Sequence, residues 1–108
     1  MMRVAAVIAL FDDLSEAELG VWVARQWVRP ADHGGEPLFG EPDIARVRLI
    51  HDLHRAMAIQ EDTLPLVLSL IDQLHALRGT LAAVTEVLRD QPPEIQAILR
   101  EALERRAR

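Results

Sequence analysis

Apolar residues recur at helical spacing in several segments of the chain. Near its start, Val4, Val7, Ile8 and Phe11 lie at i, i+3, i+4 and i+7. This spacing favours a helix, although the β-branched side chains also allow a strand. Asp12-Asp13 then predicts a turn.

A second short helix is predicted after Ser15. Ser15 is typical of an N-cap, and Glu18 follows at the spacing of a capping box. The helix continues through Leu19, Trp22, Val23 and Gln26-Trp27, and Pro30 closes it. Residues 30–42 hold six of the eleven Pro and Gly residues, which predicts a loop.

The third predicted helix begins at Glu41 or Asp43, and polar residues flank its apolar stripe. Asp52 lies at i+4 from Arg48 and i−3 from Arg55, the spacing of paired surface charges. The apolar stripe consists of Ile44, Val47, Leu49, Ile50, Leu53 and Met57.

The longest predicted helix runs from near Asp62-Thr63 to about Asp90, and Pro92-Pro93 ends it. Seven apolar residues in it are spaced alternately by three and four, as in a coiled coil. They are Val67, Leu70, Leu74, Leu77, Leu81, Val84 and Leu88. An amphipathic tail helix over residues 94–106 follows.

The length of that helix indicates that its apolar stripe needs a partner. A helix of about 28 residues is about 42 Å long, whereas a compact domain of this size is roughly 34 Å across. The stripe should therefore extend beyond its own domain. Either the folded-back tail helix or a second copy of the chain would cover it.

Composition narrows the function classes. The chain has 108 residues and no Cys, which suits one modest domain without disulfides or thiolate chemistry. Its 12 basic residues, all Arg, face 17 acidic ones, and the net charge of −5 argues against a general nucleic-acid binder. The excess lies in residues 1–43, which hold eight acids and three Arg.

We expect no membrane span, because the longest apolar run, Val4–Phe11, is far shorter than the roughly 20 residues that cross a bilayer. Asp12 and Asp13 follow that run in place of a signal-peptide cleavage site. The expected location is the cytoplasm.

Five motifs in order carry a family resemblance over about residues 3–85. They are Leu14-Ser15-Glu16-x-x-Leu19, Trp27-Val28-Arg29-Pro30, Gly35-x-Pro37-Leu38-Phe39, Asp43-Ile44-Ala45-Arg46-x-Arg48-Leu49-Ile50-x-Asp52-Leu53, and Leu64-Pro65-Leu66-Val67-Leu68-Ser69-Leu70-Ile71-Asp72-Gln73-Leu74-His75. The series resembles the chaperone-modulator (CbpM-like) family, an offshoot of the MerR-type winged-helix regulators.

The resemblance implies an all-α fold with a MerR-like, winged-helix N-terminal region at residues 1–60. Residues 61–108 would add a long coiled-coil-forming helix and a short tail helix, as one structural unit with the first region. It also implies a function: known members bind a J-domain co-chaperone and inhibit it. We therefore expect a non-enzymatic regulator that blocks the work of such a co-chaperone with its Hsp70 chaperone.

A MerR-like DNA-binding regulator is the alternative. That family binds DNA through its second helix and wing, where this chain has Glu16, Glu18, Asp32, Glu36 and Glu41. These acids would repel the phosphates that supply most of the affinity for a duplex. Specific DNA binding is therefore not expected.

Candidate catalytic and metal-binding groups are sparse. His51 and His54 lie at i, i+3, but a metal would need a third ligand from another segment. Asp72 and His75 have no nucleophile beside them, which favours a surface pair over acid–base chemistry. We expect no enzyme activity, metal site or cofactor.

Two interaction surfaces are predicted. Asp72, beside the heptad seam, would receive a basic helix of the J-domain, with Asp52 and Glu61 nearby and with Gln73 and His75 orienting it. The acidic front of the chain, including Glu16, stays open as another location for the partner. A homodimer is expected through Leu70, Leu74, Leu77, Leu81, Val84 and Leu88.

Overall fold

The computed structural model describes residues 1–107. Within this range the chain is largely helical, with 64% of its residues in five helices. The helices are α1 (Val4–Ile8), α2 (Glu16–Ala24), α3 (Glu41–Arg55), α4 (Leu64–Arg89) and α5 (Pro93–Arg106), and two strands, β1 (Ala31–His33) and β2 (Glu36–Leu38), lie between α2 and α3. No helix in the described range is long and apolar enough to span a membrane.

The chain forms two compact units, one of residues Met1–Leu68 and one from Ser69 onward. The boundary between these two units lies inside α4. The division of the chain into a winged-helix-like region, residues 1–60, and a helical region, residues 61–108, stays a prediction. All twelve buried apolar side chains belong to the first unit, and Trp22, Phe39, Leu19 and Ile50 are the largest of those that are fully buried. Among the described residues, none after Leu68 is buried.

The first two helices follow the predicted signals with shorter bounds. α1 ends at Ile8, and Ala9 and Leu10 follow as a turn. Ser15 caps α2, because its Oγ accepts a hydrogen bond from the Glu18 amide at 3.1 Å. The Glu18 carboxylate does not complete the capping box, since it accepts a hydrogen bond from Arg55 instead.

The Pro- and Gly-rich segment is a β-hairpin, so the prediction of a loop was wrong there and the fold is not purely α. β1 and β2 pair antiparallel, with Ala31 opposite Leu38 and His33 opposite Glu36. Gly34 and Gly35 have φ of 64° and 88°, the left-handed values that a two-residue hairpin turn requires. The Gly-Gly pair was the sequence signal for this turn.

The hairpin is joined to both neighbouring parts of the first unit. Met2 and Phe39 exchange two backbone hydrogen bonds of 2.8 and 2.7 Å, which attach the chain start to the end of β2. The Gly40 amide donates to Asp43 Oδ2 at 2.8 Å and so fixes the start of α3. Phe39, whose backbone makes the first of these attachments, has a completely buried side chain.

Candidate interaction surfaces

An ion-pair cluster joins three elements of the first unit. Arg55 donates from Nε to Asp13 Oδ2 at 2.9 Å and from Nη2 to the Asp13 carbonyl at 3.1 Å and to the Glu18 carboxylate. His51 bonds the other Asp13 oxygen through Nε2. The turn after α1, the first turn of α2 and the end of α3 are thereby held together.

These contacts shift two pKa values. The hydrogen bond from His51, followed by that from Arg55, holds the pKa of the Asp13 carboxyl below its usual value. The hydrogen bond to Glu18 raises the pKa of Arg55. Both shifts favour the charged forms, so the cluster acts as a tie between elements.

The other histidine of the pair is also engaged within the fold. His54 donates from Nδ1 to the Ile59 carbonyl at 2.9 Å. His51 and His54 therefore make the hydrogen bonds of ordinary structural histidines. Among residues 1–107, no three His, Asp or Glu side chains are grouped so that they could hold a metal ion.

A groove, here called the α2–hairpin groove, opens on the surface of the first unit. It has a volume of about 300 Å³, and Leu19 and Phe39 are its most deeply buried lining residues. Glu16 and Gly20 of α2 are exposed residues of its lining. The complete lining is Val4, Glu16, Leu19, Gly20, Val23, Pro37 and Phe39.

A second depression of about 310 Å³ adjoins this groove and shares Val4, Glu16 and Pro37 with it. Arg3, Ala5 and Glu36 complete its lining. Arg3 pairs with Glu36 at 3.4 Å, but both side chains are mostly exposed, so the pair is weak. Glu16 borders both depressions and has no hydrogen-bond or ion-pair partner for its side chain among residues 1–107.

The first unit carries the whole net charge of the chain. It contains eleven acidic residues and six Arg, whereas the residues from Ser69 onward contain six of each. Two Arg of the first unit make contacts within it. Arg25 lies 3.8 Å from Glu61 and over the Trp27 ring, and Arg46 donates a hydrogen bond to the Trp27 carbonyl. The segment from the start of α2 to the first turn of α3, residues 16–43, holds six acidic residues and two Arg.

The residues predicted to receive a partner are divided between the two units. Asp52 and Glu61 belong to the first. Asp52 lies 3.8 Å from the His51 ring, and Glu61 pairs with Arg25. The expected pairing of Asp52 with Arg55 is not formed, because Arg55 is turned to Asp13 and Glu18.

The other three predicted partner residues, Asp72, Gln73 and His75, are exposed on α4 in the second unit. Gln73 donates to Ser69 Oγ at 3.2 Å. With Leu70 and Leu74 at heptad positions d and a, Asp72 falls at f, on the side of the helix away from the leucine stripe, so its predicted place beside the heptad seam was wrong. The assignment of these residues to a partner stays a prediction.

The heptad stripe of α4 is uncovered within the second unit. Leu70, Leu74, Leu77, Leu81 and Val84 are 45–60% exposed, and only Leu88 is half-buried. α5 reaches the end of α4, where Gln96 donates to the carbonyls of Arg89 and Gln91. Most of the stripe therefore has no cover from the tail helix.

Sequence reasoning did not find the α2–hairpin groove. Its lining comes from α1, α2 and the segment around β2, which only the folded chain brings together. One local signal was available: Gly20 interrupts a nine-residue helix although no turn is needed there.

No family model, curated protein or solved structure matches the chain.

Proposed function

We propose that this chain is a non-enzymatic regulator that binds the J-domain of a co-chaperone and inhibits it. The supporting observation is the distribution of charge: the entire net charge of −5 belongs to the unit that contains α2 and the hairpin. The family resemblance supplies the class of partner. J-domains carry a basic helix that engages their chaperone, so an acidic surface is suited to compete for it.

The same observation disfavours the alternative, a MerR-like DNA-binding regulator. In that binding mode, α2 and the hairpin would approach the duplex, and they present Glu16, Asp32 and Glu36 as exposed acids. Arg25, a cation that could reach phosphates from the end of α2, lies beside Glu61 instead. DNA binding in this mode would be opposed by repulsion between these carboxylates and the DNA phosphates.

A homodimer formed through α4 is the second part of the proposal. Helices without tertiary packing are marginal in water, and the described part of the second unit has no buried side chain. The e and g positions beside the stripe carry one charge, so a second copy of α4 meets no row of like charges. These positions are Ile71, Gln73, Arg78, Thr80, Thr85 and Val87.

Calorimetry with a purified J-domain from the same source tests the function. We expect saturable binding by the full chain, together with loss of the stimulation that the J-domain gives to its chaperone's ATPase. A mobility-shift assay on the chain's own upstream DNA tests the alternative. Sub-micromolar DNA binding that persists at about 0.15 M salt, without J-domain binding, would replace the proposal by the DNA-binding function.

A further inference from the structure

We infer that the α2–hairpin groove is a docking site for a basic amphipathic helix of a partner protein. The inference deepens the proposed function and rests on it for the partner's identity, since it names the surface on which the J-domain would dock. The site differs from the predicted patch of Asp52, Glu61, Asp72, Gln73 and His75.

The shape of the surface suits a helix. The groove and the adjoining depression are each about 300 Å³ and share Val4, Glu16 and Pro37. An amphipathic helix places apolar side chains one turn apart on one face, about 5–6 Å from each other. In the proposed complex, two such side chains occupy the two depressions, one of them over Leu19 and Phe39.

The charge of the surface selects a basic helix. Glu16 lies at the boundary of the two depressions with an exposed carboxylate and no side-chain partner among the described residues. Among residues 1–107, the Glu36 side chain is held only by the exposed pair with Arg3, which a cation from the partner can replace. An Arg or Lys next to the two apolar side chains would therefore meet a carboxylate on either side.

Gly20 supplies an independent observation. A glycine inside a helix destabilises it by about 1 kcal/mol relative to alanine. A Cβ added at Gly20 would meet no atom within 4 Å, so neither close packing nor space in the fold requires glycine there. What the missing side chain does provide is an open groove, and local rules of stability are typically broken at functional sites.

The test uses the full chain and two probes, the purified J-domain and a synthetic helical peptide with Leu at i, i+3, i+4 and i+7 and Arg between them. Gly20→Leu fills the groove, and Glu16→Arg reverses its charge. We expect each variant to weaken binding by about tenfold or more. Gly20→Ala adds one methyl group to the lining and should therefore weaken binding, but by less than Gly20→Leu.

Two matched controls lie on α4. Gly79 is also a helix-interior glycine with open space around it, so Gly79→Leu makes the same change outside the groove. Glu86→Arg makes the same charge reversal at an exposed position. Both controls should bind within about twofold of the wild type, and thermal melts of every variant verify that it is folded.

The two probes separate the inference from the proposed function. Equal J-domain binding by wild type and groove variants would overturn the groove and leave the function standing, and loss with Asp72→Arg alone would move the site to α4. Binding of the peptide but not of the J-domain, with loss in the groove variants, would support the groove and overturn the function. Failure of both probes to bind the wild type would overturn both.

Discussion

Arg55, the last residue of α3, donates from Nε to Oδ2 of Asp13 at 2.9 Å across 42 positions of sequence. The same guanidinium reaches the Glu18 carboxylate in the first turn of α2. One side chain thus connects three segments of the first unit, because the planar guanidinium can donate in several directions at once.

Replacing Arg55 with Lys should therefore lower the free energy of unfolding. Lysine keeps the charge but cannot reproduce the forked hydrogen bonds, so we expect a loss of about 1 kcal/mol for this partly exposed cluster. Arg29→Lys is the control, since Arg29 is exposed and its side chain has no hydrogen-bond or ion-pair partner among residues 1–107. Urea denaturation should show a clear decrease only for Arg55→Lys, and equal effects would contradict the role of the cluster.

Asp13 should make stability depend on pH in the acid range. Its folded-state pKa lies below the ordinary value of 3.8, chiefly because of the hydrogen bond from His51 and then that from Arg55. The stabilisation is therefore fully present above pH 3.8 and is lost as the pH falls through the lower folded-state pKa.

Asp13→Asn should be less stable than the wild type at neutral pH, and the two stabilities should converge as the pH falls below that range. Asp12→Asn is a suitable control, since Asp12 is an exposed neighbour without a side-chain partner among residues 1–107. Urea midpoints measured from neutral to acid pH test this difference. A constant gap between wild type and Asp13→Asn at every pH would contradict it.

The parts of the fold that the sequence predicted are those with local causes. Ser15 caps α2 as expected. The helix α4, from Leu64 to Arg89, could be predicted because its heptad pattern is continuous and is visible without knowledge of any distant contact. The bond between Asp13 and Arg55 could not be predicted in this way. Helix spacing offered Asp52 as the partner of Arg55, and only the packing of α3 against the turn after α1 brings Asp13 closer.

The hairpin and the groove show two different reasons for missed features. Gly34-Gly35 marked a hairpin turn, but the strands on either side have only three residues each, and the burial pattern of β1 shows no alternation. The groove left one sign in the sequence, Gly20, because its other lining residues have ordinary roles in helices and core. Local sequence patterns indicate how a single helix or strand forms, whereas a surface between several elements depends on how those elements pack together.

Two neighbouring alanines allow a test of the backbone after α3. Ala56 has φ −76° and Ala58 has φ 54°, and both are exposed. Because an L-residue is strained in the left-handed region, Ala58→Gly should raise the free energy of unfolding by about 0.5–1 kcal/mol. Ala56→Gly should lower it by about 0.5 kcal/mol, since there glycine only adds freedom to the unfolded chain. Thermal unfolding shifts of the same sign would contradict the assigned backbone conformation.

The exposed stripe of α4 leads to the last prediction, which concerns assembly. Wild-type chain at tens of micromolar should sediment as a dimer, because Leu70, Leu74, Leu77, Leu81 and Val84 would otherwise remain in water.

Leu77→Glu combined with Leu81→Glu should give monomers, since four carboxylates would be buried in each dimer. Ala76→Glu combined with Ala83→Glu is the matched control, because both alanines are exposed on α4 at position c, away from the seam. Trp22 and Trp27 are both buried in the first unit, so their fluorescence reports the fold of that unit separately from the state of the second unit. Monomeric Leu77/Leu81 variants with unchanged fluorescence would show that the stripe acts in assembly alone. A monomeric wild type would contradict the dimer and leave the stripe to another partner.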